Sequence, residues 1–465
     1  MRNITKILFI AILTSLISSC SLNIKLEDQF SDPDAISNVE TARELLADIY
    51  DSYPKYYYEL SVLSDDFHPS NLIDKDANLK SLYLWQDKYI SDASVRYWEE
   101  YYYSIALCNT LIERLPLIII TSQQDKDELN KINSEVLTLK ALCYFDLLRL
   151  FAPDYAQGAT KDGIILKDKL ALEFGSRASI EQCVEEIERL LTEASKTENK
   201  TTASGWLSTT ACNYILADLA LYSHKWQKSI DYANKALETS NSAVLEETNY
   251  AQLWSKENCK ERIFAHYIAK PFYKDIQYSA NEGDYFVINS NINYYKGDIR
   301  EEFSIYKYKM IDNNSEKIDV DGVGKYNKMN RETKDIKYVN RIRYSGLYFI
   351  IAQAYYHLAK NDKAIETINI YLAKRKAKLI DSNSSGETLL SQILDEKQKE
   401  YIGEGERFFD LKRTNKADLK RYSAFGKNVS TNIKANDYRW TFPIPKSEYK
   451  YNPNISQNSG WTKEN

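Results

Sequence analysis

Four histidines, six cysteines and 66 carboxylates are the side chains through which this chain could do chemistry, and their spacing argues against most of it. His68, His224, His266 and His357 stand far apart, and none lies in the HExxH spacing that puts two imidazoles on one helical face. Beyond Cys20, the cysteines are Cys108, Cys143, Cys183, Cys212 and Cys259. They form no CxxC and are odd in number, so they read as buried free thiols rather than a disulfide framework or a metal site. GxSxG, GxxxxGKS/T and GxGxxG are absent. Asp319-x-Asp321-Gly322 has the start of a calcium loop, but Lys317 and Lys328 occupy its first and last ligand positions. Paired carboxylates for glycoside hydrolysis are defined by separation in space, which sequence spacing does not give. No motif points to catalysis, a cofactor or a metal. What remains is binding. An aromatic platform flanked by amides and carboxylates suits a polar ligand, whose apolar face stacks while its polar groups find hydrogen bonds. The candidates are Asp65 and Asp66, Tyr83 and Trp85 in SLYLWQDKY, and Tyr285, Tyr294 and Tyr295. For each of them, packing in a core competes with ligand contact. Trp98 lies on the apolar stripe of its helix and is assigned to the core.

The elements that must position these residues are mostly helices. The chain has 465 residues, 43% of them hydrophobic, with 37 Tyr against 15 Phe. Its 61 basic and 66 acidic residues are interleaved to a net charge of −5, which excludes a basic footprint for nucleic acid. Ala42, Leu45, Leu46, Ile49, Tyr50 and Tyr53 follow helical spacing up to Pro54. Trp98, Tyr102, Ile105, Asn109 and Ile112 stripe a second helix, and Ser134–Phe151 forms a third. Ser179 and Gln182 make a capping box that opens a fourth. Ile215–Leu237 then aligns without gaps onto Ile350–Leu372, through pairs such as Ile215/Ile350, Ala217/Ala352, Lys225/Lys360 and Leu237/Leu372. Each segment reads as helix, short turn, helix, similar to a tetratricopeptide unit. With the earlier pairs this implies an array of about four units around a continuous core. Between the repeats, residues 247–338 lose helical periodicity and read as a loop-rich insertion, with short strands at Arg262–Tyr267 and 284–288 and a loop at 312–330. Residues 422–438 read as another irregular stretch.

The first 19 residues read as a signal segment: Arg2 and Lys6 precede an apolar run from Ile7 to Ile17 that is short for a membrane span. Ile17-Ser18-Ser19-Cys20 then has the form of a bacterial lipobox, which would make Cys20 the lipidated N-terminus and residues 20–34 a tether; the alternative is an ordinary secretory signal with a coincidental cysteine.

The richest pattern is ILDEKQKEYIGEGERFFDLKR, from Ile393 to Arg413. Glu404 and Arg407, Arg407 and Asp410, and Asp410 and Arg413 are each three apart, so they can meet on one helical face. Glu396, Glu404, Gly405, Arg407, Phe408, Asp410, Leu411 and Arg413 match the C-terminal signature of the SusD/RagB family, with Lys397 where that family has Arg. SEVLTLKALCYFDLLRLFAP resembles a second family helix through Glu135, Leu139, Ala141, Tyr144, Phe145, Leu147 and Phe151. FPIPKSEYKYNPNISQNSGW resembles its closing tail through Pro443, Ile444, Pro445, Glu448, Asn452, Pro453, Gln457, Asn458 and Gly460. The resemblance implies a mainly α, SusD-like fold over residues 35–465, divided into a helical N-terminal part at 35–240, the insertion at 247–338 and a C-terminal part at 341–465. It implies a non-enzymatic outer-membrane lipoprotein facing the exterior. Such a protein captures a glycan, or a peptide in RagB-type members, as the lid of a SusC-like TonB-dependent transporter. The competing readings are a tetratricopeptide adaptor that binds only protein and, further behind, a glycosidase.

Overall fold

The computed structural model describes residues 35–169, 174–200, 205–239, 242–254, 256, 259–267, 285–325, 338–414 and 417–463. The signal segment, Cys20 and the tether lie outside the described residues, as do Tyr273 and Tyr278 of the insertion.

Helix α1 (Val39–Ser52) opens on Asn38, whose side chain accepts from Thr41 N while Thr41 Oγ1 accepts from the Asn38 backbone N–H. It buries Ala42, Leu45, Leu46 and Ile49, the stripe its spacing predicts. Next come α2 (Tyr57–Leu63), β1 (Phe67–Pro69) and α3 (Ala77–Tyr83). The long antiparallel pair α4 (Asp87–Arg114) and α5 (Gln123–Phe151) follows. Then α6 (Ile180–Ala194) starts at the Ser179–Gln182 capping box. Helices α7 (Thr209–Tyr222) and α8 (Trp226–Glu238) form the first repeat.

The insertion holds α9 (Glu247–Gln252), β2 (Arg262–Tyr267), β3 (Phe286–Ile288), α10 (Ile299–Ser304), β4 (Ile305–Ile311), β5 (Lys317–Val323) and β6 (Tyr338–Arg343). The second repeat is α11 (Tyr344–His357) with α12 (Asn361–Lys374). The signature run becomes α13 (Gly386–Tyr401) and α14 (Glu406–Thr414), and the hairpin β7 (Leu419–Tyr422) and β8 (Val429–Ile433) leads to α15 (Lys446–Tyr451).

Each helix from α4 to α8 packs on the next, α8 packs on α11, and α11 packs on both α12 and α13. The two repeats therefore abut in space although the whole insertion separates them in sequence. Their turns are congruent. His224 and Ala359 occupy equivalent positions and both adopt the left-handed conformation, with φ of 59° and 56°. Lys225 N donates to Ala220 O at 2.8 Å, and Lys360 N donates to the equivalent Tyr355 O at 2.9 Å. At the junction the Trp226 and His357 rings stack at 4.2 Å.

Two expectations are corrected. Residues 317–323 form a strand rather than a loop, paired in antiparallel register with 305–311. Val320 and Val323 are buried while Asp319 and Asp321 face out. The alternation is there, but charged neighbours disguise it. Residues 422–433 likewise belong to the β7–β8 hairpin. The insertion is closed at its base by the pairing of β2 with β6 and joined to the N-terminal part by β1 with β3. Under it lies a second apolar cluster, centred on Tyr58, Val62, Phe67, Tyr250, Trp254 and Phe286. No helix among the described residues is long and apolar enough to cross a membrane.

Candidate functional site

The turn from α13 to α14 builds the site. Gly403 and Gly405 take φ of 76° and 78°, a conformation that suits glycine. A Cβ on Gly405 would approach Tyr57 Cα to 3.0 Å, and its N–H donates to Ser61 Oγ at 2.9 Å. The signature turn is thereby pressed against α2 and the loop that leaves it, and that loop carries Asp65 and Asp66.

Arg407 meets Asp65 in a two-pronged fork, Nε to Oδ1 at 2.7 Å and Nη2 to Oδ2 at 2.9 Å. This corrects the helical-face expectation, because Arg407 pairs with neither Glu404 nor Asp410. Glu404 is instead held by Lys325 and Arg343, and Asp410 by Lys397 and Arg413. Gln398 Nε2 donates to Asp65 Oδ1 at 2.9 Å and to Asp66 Oδ1 at 3.1 Å. Asp66 is fully buried behind Asp65, and burial together with the Asp65 charge pushes its carboxyl up to about 7. Asn289 Nδ2 and N donate to the carbonyls of Asp65 and Asp66, both at 2.9 Å, and this ties residues 289–294 to the same loop. Tyr294 OH closes that wall by donating to Lys399 O at 2.9 Å.

These segments enclose an open cleft of about 660 Å³. Its floor is Asp65 and Arg407, one wall is Asn289, Asn291 and Asn293, and α13 contributes Asp395 and Gln398. Tyr422 of β7 supplies an aromatic rim and lies 4.7 Å from the His68 ring. Burial and the nearby Arg421 lower His68 to about 4, so its ring is neutral at physiological pH. The lining is thus amides, carboxylates, the cations of Lys399, Lys420 and Arg407 and a half-buried phenol, a set that can donate and accept around a polar ligand while a ring packs on its apolar face. A second cavity beside Arg149, Asp218 and Asp410 holds only about 30 Å³, room for water and no more. Among the described residues no group of His, Cys, Asp or Glu is arranged to hold a metal ion.

Of the residues singled out from sequence, the structure brings only Asp65 to the cleft surface. Asp66 is 0% exposed behind Asp65 and does not line the cleft, and two others are corrected outright. Trp85 is 0% exposed, donates its indole N–H to Leu63 O and packs against Phe408 and Trp440. Tyr83 is 1% exposed beneath the Arg421 guanidinium, which sits 3.7 Å above its ring. Neither can touch a ligand here. Tyr285 packs half-buried on the second apolar cluster, Tyr294 backs the cleft wall, and Tyr295 is exposed just beyond it. Sequence reasoning did not single out Asn291, Tyr422, Gln398 or Arg407 as site residues. The one signal pointing there was the density of Asn in residues 289–293.

A family model described as the SusD family matches residues 196–461, and one described as starch-binding, associating with outer membrane, matches residues 25–201. The SusD-like protein P38 of Formosa agariphila is 22% identical over 90% of this chain and 92% of its own length. A putative sugar binding protein from Bacteroides vulgatus superposes with a TM-score of 0.75 at 19% identity, over 92% of this chain and 99% of its own. A SusD superfamily protein from Bacteroides thetaiotaomicron gives 0.75 at 23% identity, over 90% and 99%. With one family model spanning the repeats, the insertion and the α13–α14 signature, and a second spanning the helices before them, this chain belongs to the SusD/RagB family.

Proposed function

We propose that this chain is a surface-exposed nutrient-binding lipoprotein. It takes a glycan into the cleft between α13, α14, β7 and residues 289–293, and it passes the ligand to a SusC-like TonB-dependent transporter over which it acts as a lid. The observation that carries the reading is the cleft lining, in which Asn291, Asp395 and Tyr422 surround a floor already neutralised by the Arg407–Asp65 fork. A neutral, hydroxyl-rich ligand matches it better than a charged one. The starch-binding, outer-membrane description of the matching family supports the same role, as does the carbohydrate-binding description of a similar Bacteroides vulgatus structure. The lipobox at Cys20 supplies the anchor. The role is binding rather than turnover. Asp65 is tied up by Arg407 and Gln398, and Asp66 is closed off behind it, so neither stands ready as a general acid or base.

The test is calorimetry and affinity gels on a chain beginning at Ser21, against a panel of polysaccharides, oligosaccharides and peptides. A glycan should bind, and Asn291→Ala combined with Tyr422→Ala should weaken it at least about tenfold, ~1.4 kcal/mol, at an unchanged melting temperature. Full affinity in the double variant would remove the cleft from the proposal, and a peptide-only hit would change the ligand class. In cells, Cys20→Ala should move the protein out of the membrane fraction.

A further inference from the structure

The loop between α4 and α5 displays an apolar surface that the cleft does not use. Leu117, Ile119 and Ile120 are 67%, 81% and 52% exposed. Single exposed aliphatics are ordinary, but three within four consecutive positions form a patch that calls for an occupant. The display is rigid. Leu115 and Ile118 are buried, a single 3₁₀ turn at Leu115–Leu117 holds the backbone, and Ser122 caps the following helix. With Ile118 plugged into the core, its neighbours are held outward.

The position of the loop identifies the occupant. Ser52 at the end of α1 bonds Ser104 of α4, while Arg43 near its start pairs with Glu128 and Glu135 of α5. From Ser52 back to Val39, α1 therefore follows α4 toward Arg114, and the described chain begins beside the exposed loop. Residues 20–34 can span at most about 50 Å, so a lipid on Cys20 brings a bilayer within reach of this end of the molecule. We infer that Leu117, Ile119 and Ile120 insert into the lipid surface beside the anchored N-terminus as a second membrane contact. The inference rests on the lipidation of Cys20 in the proposed function. Three lysines on this side stand in ion pairs, Lys131 with Glu128, Lys196 with Glu193 and Lys200 with Glu198. The inserted side chains themselves are aliphatic, so the contact does not need anionic lipid. The cleft lies toward the other end of α4, a 28-residue helix about 42 Å long, so a probe beside the cleft reports on a surface well separated from the inserted loop.

The test uses the full-length lipidated protein in neutral phosphatidylcholine vesicles, with an environment-sensitive fluorophore on Ile119→Cys. The buried native thiols at Cys108, Cys143, Cys183, Cys212 and Cys259 stay unlabelled. An aqueous quencher should act about tenfold more slowly on this probe than on one at Lys420→Cys beside the cleft, a ratio equal to ~1.4 kcal/mol. Leu117→Asp with Ile120→Asp should restore fast quenching while the protein still floats with the vesicles. A floating protein whose Ile119 probe is quenched freely overturns the insertion and leaves the anchor standing. A protein that does not float removes both. Protection that arises only when a transporter is present assigns the loop to a protein partner and overturns the lipid contact.

Discussion

Arg407 shows how a residue can be placed correctly in a motif and wrongly in its contacts. Its nearest charges along the helix are Glu404 and Asp410, yet each of these is already held by other cations, and the guanidinium reaches across to Asp65. Arg407→Ala should lower stability by about 1–3 kcal/mol, because Asp65 is left half-buried with a single side-chain donor. It should also weaken binding of the ligand proposed for the cleft, because the same fork is the cleft floor. Arg407→Lys keeps the charge but loses the second prong, so it should recover only part of either effect. Thermal denaturation and calorimetry on the two variants separate these outcomes. Asp66 carries a distinct pH signature. Burial raises its carboxyl to about 7 in the folded chain, above the ordinary value of 3.8. The stability from keeping it protonated is therefore fully present below about pH 4 and lost as pH rises through 7. Asp66→Asn removes that titration, so the melting temperature of the variant should gain on that of the native chain between pH 4 and 8. A constant difference across that range would rule out a raised Asp66.

At the scale of elements, the two helical repeats share a turn as well as a stripe. The left-handed residue between helices is His224 in one and Ala359 in the other, and neither is the glycine that this conformation favours. Ala359→Gly should therefore stabilise the chain by about 0.5–1 kcal/mol, relief of strain outweighing the extra freedom of the unfolded chain. Urea unfolding measures it, and a destabilised variant would mean that Ala359 carries packing its turn does not reveal. The α13–α14 turn is the opposite case. Gly403 and Gly405 are required by φ, and Gly405 by the approach of Tyr57, so this turn fixes how the cleft floor meets α2.

At the scale of the whole molecule, a buried ionic chain joins parts that sequence separates widely. Glu400 of α13 is contacted by Arg343 at the end of β6, by Arg375 beyond α12 and by the Tyr371 hydroxyl, and all of these groups are out of solvent. Arg375 continues to Glu261 at the foot of β2. Burial alone would raise Glu400, but Arg375, Arg343 and Arg300 hold it down at about 2. The signature helix is thus the point where the repeats and the insertion are tied together. Glu400→Ala takes a shared carboxylate from two buried guanidinium groups, leaving Arg343 to Glu404 and Arg375 to Glu261, and should cost about 3–5 kcal/mol. Glu400→Gln, which retains acceptor capacity, should cost less. Equal losses in chemical denaturation would show that hydrogen bonding contributes little to this junction.

Much of this architecture was legible from sequence alone, because helical stripes, the Ser179 cap and a gap-free repeat are local patterns that one chain segment carries by itself. The family signature was legible for the same reason: its residues are contiguous. What the local pattern lacks is the identity of what covers each surface. In SLYLWQDKY, Tyr83 and Trp85 are spaced like a binding platform, but Arg421, Phe408 and Trp440 arrive from more than 300 residues away and bury them. The cleft is assembled from the Asp65 loop, residues 289–293, two signature helices and β7, so no single window of sequence contains it. The sequence determined which elements form and which faces they bury, since both follow from spacing and side-chain polarity along one strand or helix. Only the tertiary structure decided which of those faces meet, because burial and ion pairing are set by groups the chain brings back from a distance.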